Sequence, residues 1–369
     1  MTIMTKKTIK LRINYNIIIP TYKRPEYLRR ILSYYNSFNQ LFKIIVADSS
    51  PDDIKKINQK IVSSFLNIQI KYLDHYSPDI NPYHKFADMV NYANQPYCVF
   101  SADDDFVIPK GIQESVKFLE KNEDFTSAHG QYISFSVTLN RKKEQEFRWM
   151  PIYPYQPIIS IDAKERLLAH FTDYYPTLYA LHRTDFLRMI YNELLNSKVD
   201  PMQFGELLPD MLTLIYGKMK RLDVLYSARE AESRVGYWPT LFEYMDAGKF
   251  DEEYAKFKNC LAHHLSIVGQ LDIEAAKEAI DEGMRLYMGK LRMDESFKKH
   301  KIFFKMKEIL DNLKLPIDMD ERIRKLYRKV ILPKQIRGEE GPCPIDDPTS
   351  IFYNDFNKIK NHVLSYSKK

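Results

Sequence analysis

Cysteine is nearly missing from this chain: Cys98, Cys260 and Cys343 are the only three in 369 residues. They are too few and too scattered for a disulfide framework or a zinc site, which fits a reducing compartment, so a cytoplasmic location is expected. No apolar run approaches the length needed to span a bilayer. The first residues carry lysines but no apolar segment before Ile17, so no secretory leader is expected. Neither sign of charge dominates, since 55 lysines and arginines face 49 acids for a net charge of +6. That mild excess permits attraction to anionic membrane surfaces or nucleotides and does not call for nucleic acid as a partner. Internal repeats and low-complexity tracts are absent. The 44% hydrophobic content suffices for a proper core, and the length allows one large or two ordinary domains.

What stands out instead is a run of three acids. Tyr97-Cys98-Val99-Phe100 leads through Ser101 and Ala102 into Asp103, Asp104 and Asp105, and Phe106-Val107-Ile108-Pro109 closes the stretch. Apolar residues bounded by a breaker read as a buried strand. Adjacent carboxylates repel one another unless a cation joins them. Their oxygens suit Mg²⁺ or Mn²⁺, ions that usually bridge to substrate phosphates. Alone, such a run is more often a solvated acidic turn. The preceding segments reverse that reading. Residues 15–20 are a strand followed by a Pro-interrupted loop, and residues 26–35 carry Leu28, Ile31, Leu32 and Tyr35 at helical spacing. Residues 42–48 repeat the scheme and end on Asp48; 54–65 read as a helix, 68–73 as a strand and 81–92 as a helix. This alternation predicts right-handed βαβ units and a mostly parallel sheet. Ligands of such sheets lie outside the carboxyl ends of the strands, where Asp48 and the three acids all fall.

Three stretches taken together, Ile17-Ile18-Ile19-Pro20-Thr21-Tyr22-Lys23-Arg24-Pro25, Ile44-Ile45-Val46-Ala47-Asp48-Ser49-Ser50 and Val99 to Asp105 with Pro109 behind it, resemble the start of a family 2 nucleotide-sugar glycosyltransferase of the GT-A fold. The likeness covers the first 235 residues and is strongest over residues 1–110. It implies transfer of a sugar from a nucleoside diphosphate, UDP foremost, to an acceptor hydroxyl, with inversion and with a divalent metal on the diphosphate. By the resemblance, Pro20 and Thr21 border the nucleotide, with Tyr22 in the same loop; Lys23 and Arg24 either lie near the phosphates or are ordinary loop charges. Asp48 matches the acid that hydrogen-bonds the base. Asp104 matches the metal position, and Asp103 lies nearer the ribose. Ala102 stands where many members have the first acid of an Asp-x-Asp motif, which leaves open whether Asp103 or Asp105 assists Asp104.

The chemistry asks for the same residue types. A leaving nucleoside diphosphate develops negative charge that a carboxylate-held metal neutralises. Lys85 lies at the start of the helix before the acid-bearing strand, where it either touches phosphate or ribose or is an ordinary solvated lysine. An inverting transfer also needs a carboxylate as general base for the acceptor hydroxyl. Pro209 suits the first turn of a helix and Gly217-Lys218 its end. That places Asp210 in the first turn, where the helix dipole favours an acid. Asp210 is the first choice for the base, Glu206 in the approach loop the second, and simple capping the alternative.

Further along, residues 127–135 and 177–182 read as strands, 161–171 as a helix, and 137–155 as irregular, with Arg148, Trp149 and several tyrosines. His129 and His182 have no partner at metal-ligand spacing and are structural or acceptor-lining. A third metal ligand is sought in residues 229–234, which follow a short strand at 222–226 and contain no histidine. Beyond residue 236 helical periodicity takes over at 252–268, 273–291, 303–313 and 320–330, then a Pro/Gly-rich loop at 332–350 and a last helix at 351–365. Basic clusters at 298–301, 322–328 and 334–337 either dock an acceptor polymer or lipid headgroup or are solvated helix faces.

The expected architecture is therefore α/β of GT-A type: Rossmann-like βαβ units in a mixed, mostly parallel sheet with an α-helical C-terminal extension. Residues 1–235 form the transferase domain, with a nucleotide half to about 110 and an acceptor half over 111–235, and 236–369 form the helical domain. The expected function is metal-dependent (Mn²⁺ or Mg²⁺) inverting transfer to a glycan or lipid-linked acceptor in bacterial surface polysaccharide assembly, in the cytoplasm with peripheral contact at the inner membrane face. Two rivals stand beside it: a non-catalytic nucleotide- or glycan-binding module, and a sugar-phosphate nucleotidylyltransferase. The latter would need a Gly-rich loop after the first strand, and residues 20–24 contain no glycine.

Overall fold

The computed structural model describes residues 14–38, 40–139, 143–152, 156–231, 240–299 and 345–366, with backbone alone over 293–299. The first half alternates as expected: β1 (Tyr15–Thr21), α1 (Pro25–Asn36), β2 (Lys43–Asp48), α2 (Asp52–Ser63), β3 (Gln69–Leu73), α3 (Pro82–Val90) and β4 (Tyr97–Phe100). β1, β2 and β4 are apolar almost throughout because helices cover both their faces. They pair in parallel, in the order β3-β2-β1-β4, so their carboxyl ends meet along one edge. Proline opens α1 and α3, where its fixed φ suits a first turn and its missing N–H leaves no donor unpaired. Asn81 caps α3 by accepting the Tyr83 amide at 2.9 Å.

After the acids come β5 (Phe106–Val107), α4 (Pro109–Lys121), β6 (Phe125–Leu139), β7 (Gln145–Ile152), α5 (Ala163–Thr172), β8 (Leu181–Arg183), α6 (Thr184–Asn196), α7 (Pro201–Phe204), α8 (Leu207–Tyr216) and β9 (Lys218–Glu230). The sheet continues as β4-β8-β6-β9-β5, and β7 pairs with β6. β8 runs antiparallel to both β4 and β6, which makes the sheet mixed. Two segments differ from expectation. The stretch taken as irregular contains β7, whose period of two is masked by interleaved charges: Phe147 stacks on Phe135 at 5.1 Å across the hairpin, while Arg148 on the other face pairs with Glu146. The strand expected over 177–182 shrinks to β8, because the Ala180 amide donates to the Thr177 carbonyl at 2.8 Å and closes a turn. That turn carries Thr177 and Tyr179 to the cleft.

Two hydrophobic layers sandwich the sheet. One holds α1, α4 and the last helix, α12 (Tyr353–Tyr366), whose Phe356, Ile359 and Val363 pack with Ile31 and Phe106. The other holds α3, α5, α6 and α8 together with α10 (Phe250–Gly269) and α11 (Ile273–Lys299), which follow the short α9 (Leu241–Asp246). There Phe257, Leu261 and Ile280 share a core with Leu208, Met211 and Leu212, each fully buried side chain contributing about 1.5–3 kcal/mol. The C-terminal helices thus complete both faces of the sheet. Among the described residues no helix is long and apolar enough to cross a membrane. The helices expected at 303–313 and 320–330, the boundary near 236, most of the 332–350 loop and the three basic clusters lie wholly or largely outside the described residues.

Candidate active site

Because β1 and β4 are neighbours, Thr21 at the end of β1 meets the acids that follow β4. Its hydroxyl donates to Asp103 Oδ2 at 2.7 Å. Arg24, just before α1, reaches the same acids: Nη1 lies 3.0 Å from Asp103 Oδ1, and Nη2 donates to Asp104 Oδ2 at 2.7 Å. The loop that aims Arg24 is strained, since Lys23 has φ 56°, a left-handed conformation that costs a non-glycine residue about 1–3 kcal/mol and clusters at ligand sites. The Lys23 amide is anchored on Ser50 Oγ at 2.8 Å. Pro20 and Tyr22 are half-buried at the rim of this loop.

Lys85 is not a solvated lysine. It is buried, and its ammonium donates to the Thr21 carbonyl at 3.0 Å and to Ser49 Oγ at 2.9 Å, tying the ends of β1 and β2. Burial pushes its pKa down to about 8, against the pull of Asp48 and Asp103. Burial likewise lifts Asp103 to about 7, opposed by Arg24.

Two expected ligand-facing acids are hydrogen-bonded to protein partners in this structure. Asp48 has no exposed surface, and its Oδ1 accepts the Ser50 amide at 2.8 Å. Its Oδ2 accepts from Asn58 at 2.7 Å and from the Tyr72 hydroxyl at 2.6 Å. A nucleotide base reaching Asp48 would have to displace one of these partners. Asp105 turns away toward β9: Oδ2 accepts from Arg229 Nε at 2.9 Å and Oδ1 from the Glu230 amide at 3.1 Å. Burial lifts Asp105 to about 6, opposed by Arg229. Glu230 pairs in turn with Arg30, whose guanidinium also donates to the Asp104 carbonyl at 3.1 Å.

The opposing wall comes from α8 and the turn before β8. Glu206 stands at the start of α8, makes no side-chain capping bond and is half-buried; Asp210 lies in the first turn and is 2% exposed. The Tyr174 hydroxyl lies 2.9 Å from Glu206 Oε1 and 2.8 Å from Asp210 Oδ2, and Thr177 donates to Asp210 Oδ1 at 2.5 Å. Burial, with the Glu206 charge adding to it, pushes Asp210 up to about 8. Burial also raises Glu206, but the Tyr174 hydrogen bond and Arg229 oppose the rise. Arg229 stacks over Tyr179 at 4.3 Å, so one guanidinium joins the acid loop to this wall. Gly205 lets Glu206 approach: a Cβ there would collide with the Tyr83 ring and the Pro201 carbonyl. His129 and His182 are buried and pushed down to about 4, mainly by that burial. His182 Nε2 bonds the Thr177 carbonyl at 2.9 Å and so helps place Thr177.

No three His, Cys, Asp or Glu residues come together as a metal-ligand set among the described residues. Mg²⁺ and Mn²⁺ sites of phosphate-handling enzymes nonetheless need only one or two carboxylates, with phosphates and water completing the shell. Asp104, with Asp103 or Asp105 beside it, supplies the carboxylates such a site takes; Asp103 and Asp104 are ion-paired to Arg24 in this structure and Asp105 to Arg229. Of the expected residues, Pro20, Thr21, Tyr22, Arg24, Lys85, Asp103 and Asp104 gather at the ends of β1, β2 and β4, and Glu206 and Asp210 on the facing wall. Sequence reading missed Arg30, Tyr174, Thr177 and Tyr179, whose roles arise only when distant segments meet. Of the 229–234 region singled out for a metal ligand, Arg229 and Glu230 are ion-pair partners here, and residues 232–234 lie outside the described residues.

The model of the family described as Glycosyl transferase family 2 matches residues 16–186, from β1 into α6. No curated protein matches the chain. Similar solved structures include S. aureus TarS residues 1–349, at 12% identity over 96% of this chain and 90% of that one with a TM-score of 0.48. The same TarS fragment in complex with UDP gives 12% identity, 96% and 90% coverage and a TM-score of 0.46. The mannosyltransferase PcManGT from Pyrobaculum calidifontis, in complex with GDP-Man and Mn²⁺, gives 10% identity, 96% and 86% coverage and a TM-score of 0.40. Strand order, acid placement and the family match agree over the same stretch: residues 16–186, from β1 into α6, form a glycosyl transferase family 2 domain.

Proposed function

We propose that this enzyme moves a sugar from a nucleoside-diphosphate donor, with UDP the first nucleotide to test, to a hydroxyl of a glycan or lipid-linked acceptor, inverting the anomeric centre. Surface polysaccharide assembly in the cytoplasm, at the inner membrane face, is the setting this reading favours. The observation that carries it is the gathering of Thr21, Arg24, Lys85, Asp103 and Asp104 at the carboxyl ends of β1, β2 and β4, opposite the Glu206–Asp210 pair on α8. In this reading Arg24 and Lys85 bind the diphosphate, Asp103 accepts from the ribose, and Pro20, Thr21 and Tyr22 border the nucleoside. Asp48 and Asp105 hold the two loops in place. A divalent ion held by Asp104 and Asp103 would neutralise charge developing on the leaving diphosphate. The carboxyl pair on α8 takes the proton of the acceptor hydroxyl, the usual share of a positioned base being about 10²–10⁴ in rate.

Screening nucleotide sugars for hydrolysis and transfer, with and without Mn²⁺, tests this directly. Turnover of one donor with an inverted product supports the reading. Failure of every nucleoside diphosphate to bind in calorimetry would overturn it.

A further inference from the structure

A phenol carries one proton, yet the Tyr174 hydroxyl lies 2.9 Å from Glu206 Oε1 and 2.8 Å from Asp210 Oδ2. With both carboxyls ionised, Tyr174 could donate to one only, and its oxygen would press against a second anionic oxygen with no proton between them. One more proton in the trio than the phenol supplies gives each of these two short contacts its own donor. The surroundings say where it belongs. Asp210 is 2% exposed, its Oδ1 already accepts from Thr177, and it faces Tyr83 from α3, Tyr191 from α6 and Tyr287 from α11, besides Glu206 itself. Glu206 is half-buried and faces Arg229 from β9 as well as Tyr83, Tyr179, Tyr191 and Tyr287. Tyrosine hydroxyls face both acids, and the Arg229 cation faces Glu206; that cation separates two acids that titrate as a unit.

We propose that Asp210 is the protonated member and donates to the Tyr174 oxygen, that Tyr174 donates in turn to Glu206, and that ionised Glu206 is the base. Only the last clause rests on the transfer reading above. In that step the acceptor O–H bond breaks and its proton passes to Glu206. The acceptor oxygen bonds to the anomeric carbon, and the nucleoside diphosphate leaves with the electron pair of the broken bond. Tyr174 is a positioning residue that fixes which carboxyl is charged. The assignment exchanges the roles that helix position alone gives to Asp210 and Glu206.

Difference infrared spectroscopy on the full chain near neutral pH reads the proton without any substrate. Subtracting the Asp210→Asn spectrum from wild type should leave a protonated-carboxyl C=O band, and subtracting Glu206→Gln a carboxylate band; the reverse pattern, or two carboxylates, overturns the proposal. Tyr174→Phe adds a sign: the Asp210 titration midpoint should fall, because a neutral Asp210 loses its acceptor. A rise would show Tyr174 donating to an ionised Asp210 and would also overturn it. In transfer assays Glu206→Gln should cost more than Asp210→Asn, by about tenfold or more within the range of base catalysis. The opposite order overturns the base assignment, whereas no turnover by any protein, wild type included, would strike the transfer reading and leave the infrared result standing.

Discussion

Arg24 forks across two consecutive carboxylates, with Nη1 3.0 Å from Asp103 Oδ1 and Nη2 2.7 Å from Asp104 Oδ2. Two like charges at adjacent positions are thereby held in one geometry before any ligand arrives. Lysine keeps the charge but has no fork. Arg24→Lys should weaken nucleoside-diphosphate binding by about 1–3 kcal/mol, the worth of a charge-assisted hydrogen bond, while the fold persists. Calorimetric titration with UDP checks this, and equal affinity in the two proteins would confine Arg24 to the apo structure.

Asp104→Asn keeps the shape of the side chain and removes its charge. Mn²⁺-dependent transfer should fall at least about 10²-fold, as expected if a metal stabilises the leaving group by several kcal/mol. The circular dichroism should match wild type. Undiminished transfer by wild type in excess EDTA would sink the metal assignment.

Asp48 meets Ser50, Asn58 and Tyr72 and no solvent. Asp48→Ala should therefore show itself first as lost stability, about 1–3 kcal/mol for each buried donor left unsatisfied. Urea unfolding measures that loss. If the unfolding midpoint is unchanged and only UDP affinity drops, Asp48 contacts the base and its buried partners exchange for it.

Stability should decline as pH rises from about 6.5 to about 8. Asp210, lifted to about 8, and Asp103, lifted to about 7, keep their protons in the folded chain but lose them in the unfolded one. For such groups stability is full below the unfolded pKa and is lost as pH climbs through the folded pKa. Below about pH 6.5 the buried His129 and His182, pushed down to about 4, work in the opposite direction, so the window starts there. Thermal unfolding at both ends of the window should give a lower Tm at the higher pH, with a flatter slope in Asp210→Asn. The same slope in both proteins would mean that Asp210 titrates alike in the folded and unfolded chains.

What the sequence made legible was local. The apolar runs before Thr21, Asp48 and Asp103 are strands because a two-faced buried strand has no other composition, and Pro25, Pro82 and Pro109 mark helix starts because proline is at home there. Strand ends then place Thr21 and Asp103 together. What stayed hidden was the partner of each acid. Asp105 and Arg229 are 124 residues apart, and Arg30 and Glu230 are 200 apart, separations at which no spacing rule operates. Lys85 read equally well as a cleft-facing or a solvated lysine, since only the neighbouring strand ends decide that it is buried. β7 was lost because charges and aromatics alternate on a half-solvated hairpin.

The hydrogen bond from His362 on α12 to the Arg30 carbonyl, 3.0 Å long, joins positions 332 residues apart. At ribosomal speeds of about 5–20 residues per second, α1 emerges well before the helix that covers it. Arg30 touches Asp104 and Glu230 from a helix whose outer face stays bare until α12 has been made. The donor side of the cleft is thus made long before the helix that locks it.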